Sequence, residues 1–333
     1  MITRSMPLQQ PPDWQTRLAR AITDPETLLR ALHLPADLLP AALQAGSTFR
    51  LRVPHGFVAR MRAGDPDDPL LRQVLPLGEE LTVTPGYSSD PLAELDAMPA
   101  PGVLHKYRKR VLLTTTGACA VHCRYCFRRH YPYGSANPTR AFAQTLEYLQ
   151  QQRDVNEVIL SGGDPLTLSD QRLAALATAL ESVPHLQRLR IHSRVPVVLP
   201  ERVVPELLDW MSATRLQLVL VIHSNHGNEI DPAVSAALQP LHAAGVTLLN
   251  QSVLLRGVND CAATLVELSE RLFAAHVLPY YLHQLDPVQG AAHFAVADHR
   301  ARELLQEVRN SLPGYLVPRL VRELAGQPAK TPV

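Results

Sequence analysis

Cys119-Ala-Val-His-Cys123-Arg-Tyr-Cys126 places three cysteines in one short segment. Four thiolates ordinarily close a cubane iron–sulfur cluster, one to each iron, so three leave one iron without a protein ligand. An open coordination position is where a metal centre does chemistry rather than holding structure. The segment follows Arg110-Val-Leu-Leu-Thr-Thr-Thr116, which reads as a strand, and the aromatic Tyr125 precedes the last cysteine. Zinc is the competing reading, with His122 or His130 completing a tetrahedral N/S set. Structural zinc ligands usually come as two separated pairs, and the segment has no second pair.

Outward from this loop the pattern alternates strand and helix. Short runs rich in Val, Ile and Leu predict strands over 110–116, 157–161, 189–193, 216–223, 246–252 and 278–284. Helices are expected between them over 140–151, 169–182, 201–213, 232–243 and 262–276. Ser169 and Asp231 suit N-caps, Pro232 a first helical position and Gly245 a C-cap. Six such β–α units predict an α/β fold with a parallel sheet and right-handed crossovers. Eight strands are not found, so an open, partial (β/α)6 barrel fits better than a closed one. A doubly wound sheet stays open from pattern alone; the cysteine loop after the first strand favours the partial barrel.

The flanks read differently. Short amphipathic helices are expected over 13–22, 25–32 and 35–45, followed by a Pro/Gly/Asp-rich connector over 85–101. The predicted division is a helical cap and linker over 1–100, a barrel over 101–312 and a closing segment over 313–333. That last segment reads either as a frayed tail or as a strand and loop folded over the barrel mouth.

With 333 residues, 46% hydrophobic and 19% charged, the chain has the makings of a soluble globular protein with a large core. A net charge of +1 gives no reason to expect nucleic acid or an anionic membrane as partner. No apolar run is long enough to span a bilayer, and Met1-Ile-Thr-Arg-Ser-Met6 lacks a secretory apolar core. Four cysteines, three of them clustered, argue for metal ligation in a reducing, cytoplasmic setting rather than for disulfides.

Polar residues gather at the carboxyl ends of the predicted strands, where parallel α/β folds place their chemistry. They include Ser161-Gly162-Gly163-Asp164, His192-Ser193-Arg194, His223-Ser224-Asn225 and Asn250-Gln251-Ser252. Their repetition at successive strand ends favours a polar ligand pocket.

The cysteine spacing, with its aromatic before the third cysteine, resembles the radical S-adenosylmethionine (SAM) superfamily. That resemblance implies a [4Fe-4S] cluster on Cys119, Cys123 and Cys126. SAM would bind the open iron, with Tyr125, Ser161, Gly162, Gly163, Asp164, Ser193, Arg194 and Gln251 around the cofactors. Taken with Ser193-Arg-Val-Pro-Val-Val-Leu-Pro200, Asn250-Gln-Ser-Val-Leu-Leu-Arg-Gly-Val-Asn-Asp260 and Pro279-Tyr-Tyr281, the chain from about residue 65 onward resembles the lysine 2,3-aminomutase family. Within it the resemblance is to the branch associated with elongation factor P. It implies conversion of L-lysine to (R)-β-lysine, which a partner ligase attaches to that factor, with a reductase or flavodoxin-type electron donor.

Such chemistry needs pyridoxal phosphate (PLP), whose π-system spreads unpaired density and whose aldehyde condenses with a lysine. The chain has three lysines, Lys106, Lys109 and Lys330. The resemblance makes Lys330 the PLP lysine, puts Lys106 and Arg110 on the phosphate, and sets Tyr107 near the ring. Arg128 would hold the substrate α-carboxylate, and Asp286 and Glu323 its ε-ammonium. Two departures stand out: only Gly326 precedes Lys330 where relatives carry a glycine run, and Glu323 stands where the family has aspartate. Cys261 matches a zinc ligand of longer relatives without its partners, so no zinc and an ordinary buried thiol are expected there. Two other readings stay open: an aminomutase of another amino acid such as glutamate, and a non-catalytic iron–sulfur or zinc scaffold. The oligomeric state is open, a homo-oligomer included.

Overall fold

Strands made of Val, Ile and Leu need cover on both faces, and the chain supplies it by alternating each strand with a helix. The computed structural model describes residues 13–134 and 142–333. Its strands pair in chain order: β1 (Val103–Tyr107), β2 (Arg110–Thr116), β3 (Glu157–Gly162), β4 (Arg188–Ser193), β5 (Gln217–His223), β6 (Thr247–Val253), β7 (Leu278–His283), β8 (Arg319–Arg322) and β9 (Thr331–Pro332). Pairing is parallel from β2 through β8, and β1 and β9 are antiparallel edges. All six residues of β3 are buried, as a central parallel strand requires.

Eleven α-helices lie among the described residues. The N-terminal part holds α1 (Asp13–Ala19), α2 (Pro25–Ala31), α3 (Leu39–Thr48) and the single turn α4 (His55–Val58). The crossovers carry α5 (Phe142–Gln151), α6 (Asp170–Glu181), α7 (Val195–Val198), α8 (Pro205–Ala213), α9 (Pro232–Ala243), α10 (Ala262–Ala274) and α11 (Asp298–Ser311). The expected caps form: Asp231 accepts from Val234 N at 2.8 Å and Ser169 from Arg172 N at 3.4 Å. Gly245 follows α9 with φ +81°.

The six predicted strands all form, with ends shifted by a residue or two. The predicted helix start at 140–141 and the Met1–Met6 stretch lie outside the described residues. Two helices begin later than expected. Residues 36–38 and 200–202 wind as 3-10 turns, and the α-helices start beside Pro40 and Pro205, where proline suits the first turn. Elements not expected include β1, α11 and the single turns α4 and α7, while β8 is the strand of one of the two readings of 313–333. The six strand–helix units therefore continue into a seventh parallel strand, and the 313–333 segment is the strand and loop rather than the frayed tail.

One hydrophobic core spans the N-terminal helices and the sheet, joining Trp14, Leu28 and Phe57 to Leu160, Leu189 and Leu220. A second cluster, including Leu282, Leu304, Leu305 and Leu320, seals α11 against β7 and β8. Truncating a fully buried leucine such as Leu160 costs about 2–5 kcal/mol. No helix among the described residues is long and apolar enough to cross a membrane.

Candidate active site

Each parallel strand brings its carboxyl end to the same side, where a cavity of ≈ 240 Å³ opens. Its wall takes residues from each of β1 to β7 and Glu323 just past β8, so the sheet curls around one space. Of the residues that the resemblance assigns to cofactors and substrate, all but one line it. The exception is Ser193, which sits beneath the wall and donates to Asp164 Oδ1 at 2.7 Å.

Cys119, Cys123 and Cys126 are unpaired, half-buried and part of the wall. Their loop is seated on Gly162 and Gly163. Gly163 N donates to Thr116 O at 2.6 Å, and Asp164 N to Ala118 O at 2.7 Å. A Cβ on Gly163 would lie 2.3 Å from Ala118 O, and one on Gly162, whose φ is +119°, 2.6 Å from Thr116 O. The sequence reading gave these glycines to ligand approach. Here they first admit the backbone of the cysteine loop.

Asp164 is a structural pin. Besides Ser193 it accepts from the N–H groups of Leu166, Arg194 and Val195 at 3.0, 2.7 and 3.1 Å. Burial raises its carboxyl to about 6 against these hydrogen bonds. Arg194 is 4% exposed and turns its guanidinium toward the cysteine loop and Tyr125. Its buried Nε has no protein partner.

A row of alternating charges crosses the cavity. Arg128 donates through Nε and Nη2 to Glu94 at 2.6 and 2.8 Å, and through Nη1 to Ser161 Oγ at 3.0 Å. Lys106 Nζ joins Glu94 at 3.2 Å to Glu323 at 2.9 Å. Lys330 Nζ takes the other oxygen of Glu323 at 2.8 Å and lies 5.7 Å from the Tyr281 ring centroid. Burial alone would raise Glu323, but Lys330 and Lys106 hold it down to about 2. Burial and then Glu323 push Asp286 up to about 7, against the pull of Lys330 and Lys106. Of the two carboxyls, Asp286 is the one that takes a proton near neutrality.

The sequence reading missed Glu94. It lies in the 85–101 connector, where nothing in the local pattern marks a site residue. Its aim comes from the fold: Ser88 pairs with the 287–289 backbone, Asp90 accepts from Glu94 N at 3.0 Å, and Ala93 adopts φ +47°. Such a backbone is held in place only where the surroundings demand it. Gln73, which reaches Arg194, was missed for the same reason.

Three histidines also line the cavity. His192, His223 and His283 are pushed to low pKa chiefly by burial, so they stand as neutral imidazoles. His223 meets Gln251 at 2.7 Å, while His192 Nε2 is buried without a protein partner. Arg110 stacks on Tyr107 at 4.1 Å, which leaves its donors to the cavity edge.

These residues suit the groups the resemblance implies. Three thiols of one loop line a space that Arg194 and His192, each with an unpartnered buried nitrogen, also border, and the PLP candidate Lys330 lines the same space. Among the described residues no three His, Cys, Asp or Glu side chains converge on a single ion. A cubane spreads its thiolates over separate irons, so it does not ask them to converge on one ion. One expectation fails: Cys261 is exposed, because it sits at the cap position before α10 rather than in the core.

Comparison with known proteins agrees with this geometry. The Radical SAM superfamily profile matches residues 113–268. The chain is 50% identical to an L-lysine 2,3-aminomutase of Escherichia coli K12, over all of this chain and 97% of that one. It is 49% identical to the Haemophilus influenzae enzyme of that name, over 97% of this chain and 96% of that one. With the Clostridium subterminale enzyme the identity is 36%, over 96% of this chain and 77% of that one. The chain belongs to the L-lysine 2,3-aminomutase family of radical SAM enzymes.

Proposed function

We propose that this protein moves the α-amino group of L-lysine to the β-carbon, giving (R)-β-lysine, with a [4Fe-4S] cluster, SAM and PLP as cofactors. The observation that carries this reading is one cavity lined by the three cysteines, Arg128, Asp286, Glu323 and Lys330. The cluster with SAM supplies a hydrogen-abstracting radical, and PLP supplies a π-system that tolerates unpaired density while the amino group migrates. Cys119, Cys123 and Cys126 would hold the cluster, and Lys330 the PLP. Lys106 and Arg110 offer cations to a phosphate, and Tyr107 a face for the ring. Tyr125, Ser161, Gly162, Gly163, Arg194 and Gln251 border the SAM space, and Asp164 with Ser193 braces it.

For the substrate, Arg128 provides a planar fork suited to a carboxylate. Glu323 already holds an ammonium, that of Lys330. Once Lys330 is committed to PLP, that oxygen is left for the ε-ammonium of lysine, with Asp286 beside it. A glutamate side chain would meet like charge there, which disfavours the glutamate alternative.

The same reading divides the chain into a cap over 1–100, a barrel over 101–312 and a closing segment over 313–333. It places the enzyme in the cytoplasm, served by a flavodoxin-type donor or reductase, with its β-lysine passed to the ligase that modifies elongation factor P. A homo-oligomer is compatible with it. An anaerobic incubation with L-lysine, SAM and dithionite tests the proposal, read by mass spectrometry and chiral separation. β-Lysine is expected, and its formation should stop in Lys330→Ala together with the PLP absorbance band. Wild-type protein that binds cluster and PLP yet leaves lysine unchanged would refute it.

A further inference from the structure

Arg194 presses a buried positive charge against one of the three thiols. Its Nη1 donates to Cys123 Sγ and to Tyr125 Oη, each at 2.8 Å. Its Nη2 donates to Gln73 Oε1 at 2.6 Å and to Glu229 Oε2 at 2.9 Å. Its backbone N–H is fixed on Asp164. Glu229, fully buried, also accepts from Gln73 Nε2 at 3.1 Å and from the N–H groups of Asn225 and His226 at 2.8 and 3.1 Å. The guanidinium therefore cannot swing away without stranding a buried carboxylate. Its orientation toward Cys123 is built into the fold.

Reducing an iron–sulfur cluster adds one electron, taken from an external low-potential donor, and makes or breaks no bond. A hydrogen bond to a cluster sulfur stabilises the added charge and raises the reduction potential, and burial strengthens the effect. A carboxylate next to that donor works in the opposite sense. Resting on the radical SAM reading of the cysteine loop, we infer that Arg194 is a positioning residue. It sets the cluster's reduction potential through Cys123, and Glu229 is its counterweight.

The test is a redox titration of anaerobic, full-length holoprotein without SAM. Dithionite and mediators set the poise, and electron paramagnetic resonance reads the reduced cluster. Arg194→Gln should lower the midpoint, with at least a tenfold fall in the reduced-to-oxidised ratio at fixed poise, equivalent to 59 mV for a one-electron couple. Glu229→Gln should move the midpoint in the opposite direction. Iron and sulfide content should match wild type in both. If Arg194→Gln takes up no cluster, Glu229→Gln decides alone: a raised midpoint supports the assignment, and an unchanged or lowered one overturns it. Wild-type midpoints in both variants also overturn it. Wild-type protein that holds no four-iron cluster would instead bring down the functional reading on which this rests.

Discussion

Glu94 holds Arg128 through both carboxylate oxygens, at 2.6 and 2.8 Å, inside the cavity that the three cysteines line. Arg128 is 7% exposed and Glu94 3%. The residue assigned to the substrate carboxylate thus already carries an internal one, and three of the five N–H groups of a guanidinium are committed.

That pairing predicts strong coupling. Glu94→Gln strands a buried cation and should cost about 3–5 kcal/mol of unfolding free energy. Adding Arg128→Met removes the stranded charge and should recover a large part of the loss. Urea denaturation of the four proteins in a double-mutant cycle measures this, and additive effects would show the two side chains to be energetically independent.

Asp286 predicts a pH dependence. Burial and then Glu323 raise it to about 7, so below that pH it is neutral and attracts no ammonium. The KM for L-lysine should climb as pH falls through 7, approaching tenfold per unit, and Asp286→Asn should flatten the profile. Stability moves the other way. The folded state holds this proton more tightly than the unfolded chain, so the contribution is present at low pH and lost as pH rises from about 4 to 7. A KM profile of Asp286→Asn that keeps the wild-type slope would reassign the titration to another group.

Gly163→Ala tests the seat of the cysteine loop. The new methyl would meet backbone, Ala118 O at 2.3 Å, which cannot step aside as a flexible side chain could. A loss of about 1–3 kcal/mol is expected from the overpacking, with reduced iron uptake on reconstitution. Full iron occupancy at wild-type stability would mean that the loop has more freedom than this packing allows.

Cys261 should behave apart from the other cysteines. It is exposed, whereas Cys119, Cys123 and Cys126 are half-buried. In cluster-loaded protein it should be the one thiol that reacts rapidly with iodoacetamide. Cys261→Ser should abolish that labelling without changing iron content. Mass spectrometry of the alkylated peptides settles the point, and a fall in bound iron in that variant would implicate Cys261 in the centre.

How much of this was legible in the sequence varied with the kind of signal. Parallel strands announce themselves as unbroken apolar runs, so the strands over 110–116 and 157–161 could be placed within a residue or two. The four-residue strand Arg319–Arg322 is two apolar residues between two arginines, and a run that short carries no period of its own. Helix Asp298–Ser311 is so polar on its outer face that its buried stripe of Ala301, Leu304, Leu305 and Val308 was hidden among charges. In the site, Arg128 and Arg194 were readable through the family resemblance, because each sits in or beside a stretch that carries it. Glu94 reaches the cavity, and Gln73 reaches Arg194 behind its wall, from segments far away in sequence, through contacts that only the folded chain creates. The glycines after β3 were found for an incomplete reason, since close backbone approach leaves the same trace whether the neighbour is a ligand or another loop.

Glu323 and Lys330 flank the loop of a single hairpin, in which Val321 faces Pro332 and Arg322 faces Thr331. Because side chains alternate between the faces of a strand, slipping that hairpin by one position would turn both groups out of the cavity together. The turn between them is thus a length standard. Under the proposed roles, an insertion or deletion there would shift Lys330 against Glu323 and part the cofactor lysine from the carboxylate beside it, even though neither residue had been replaced.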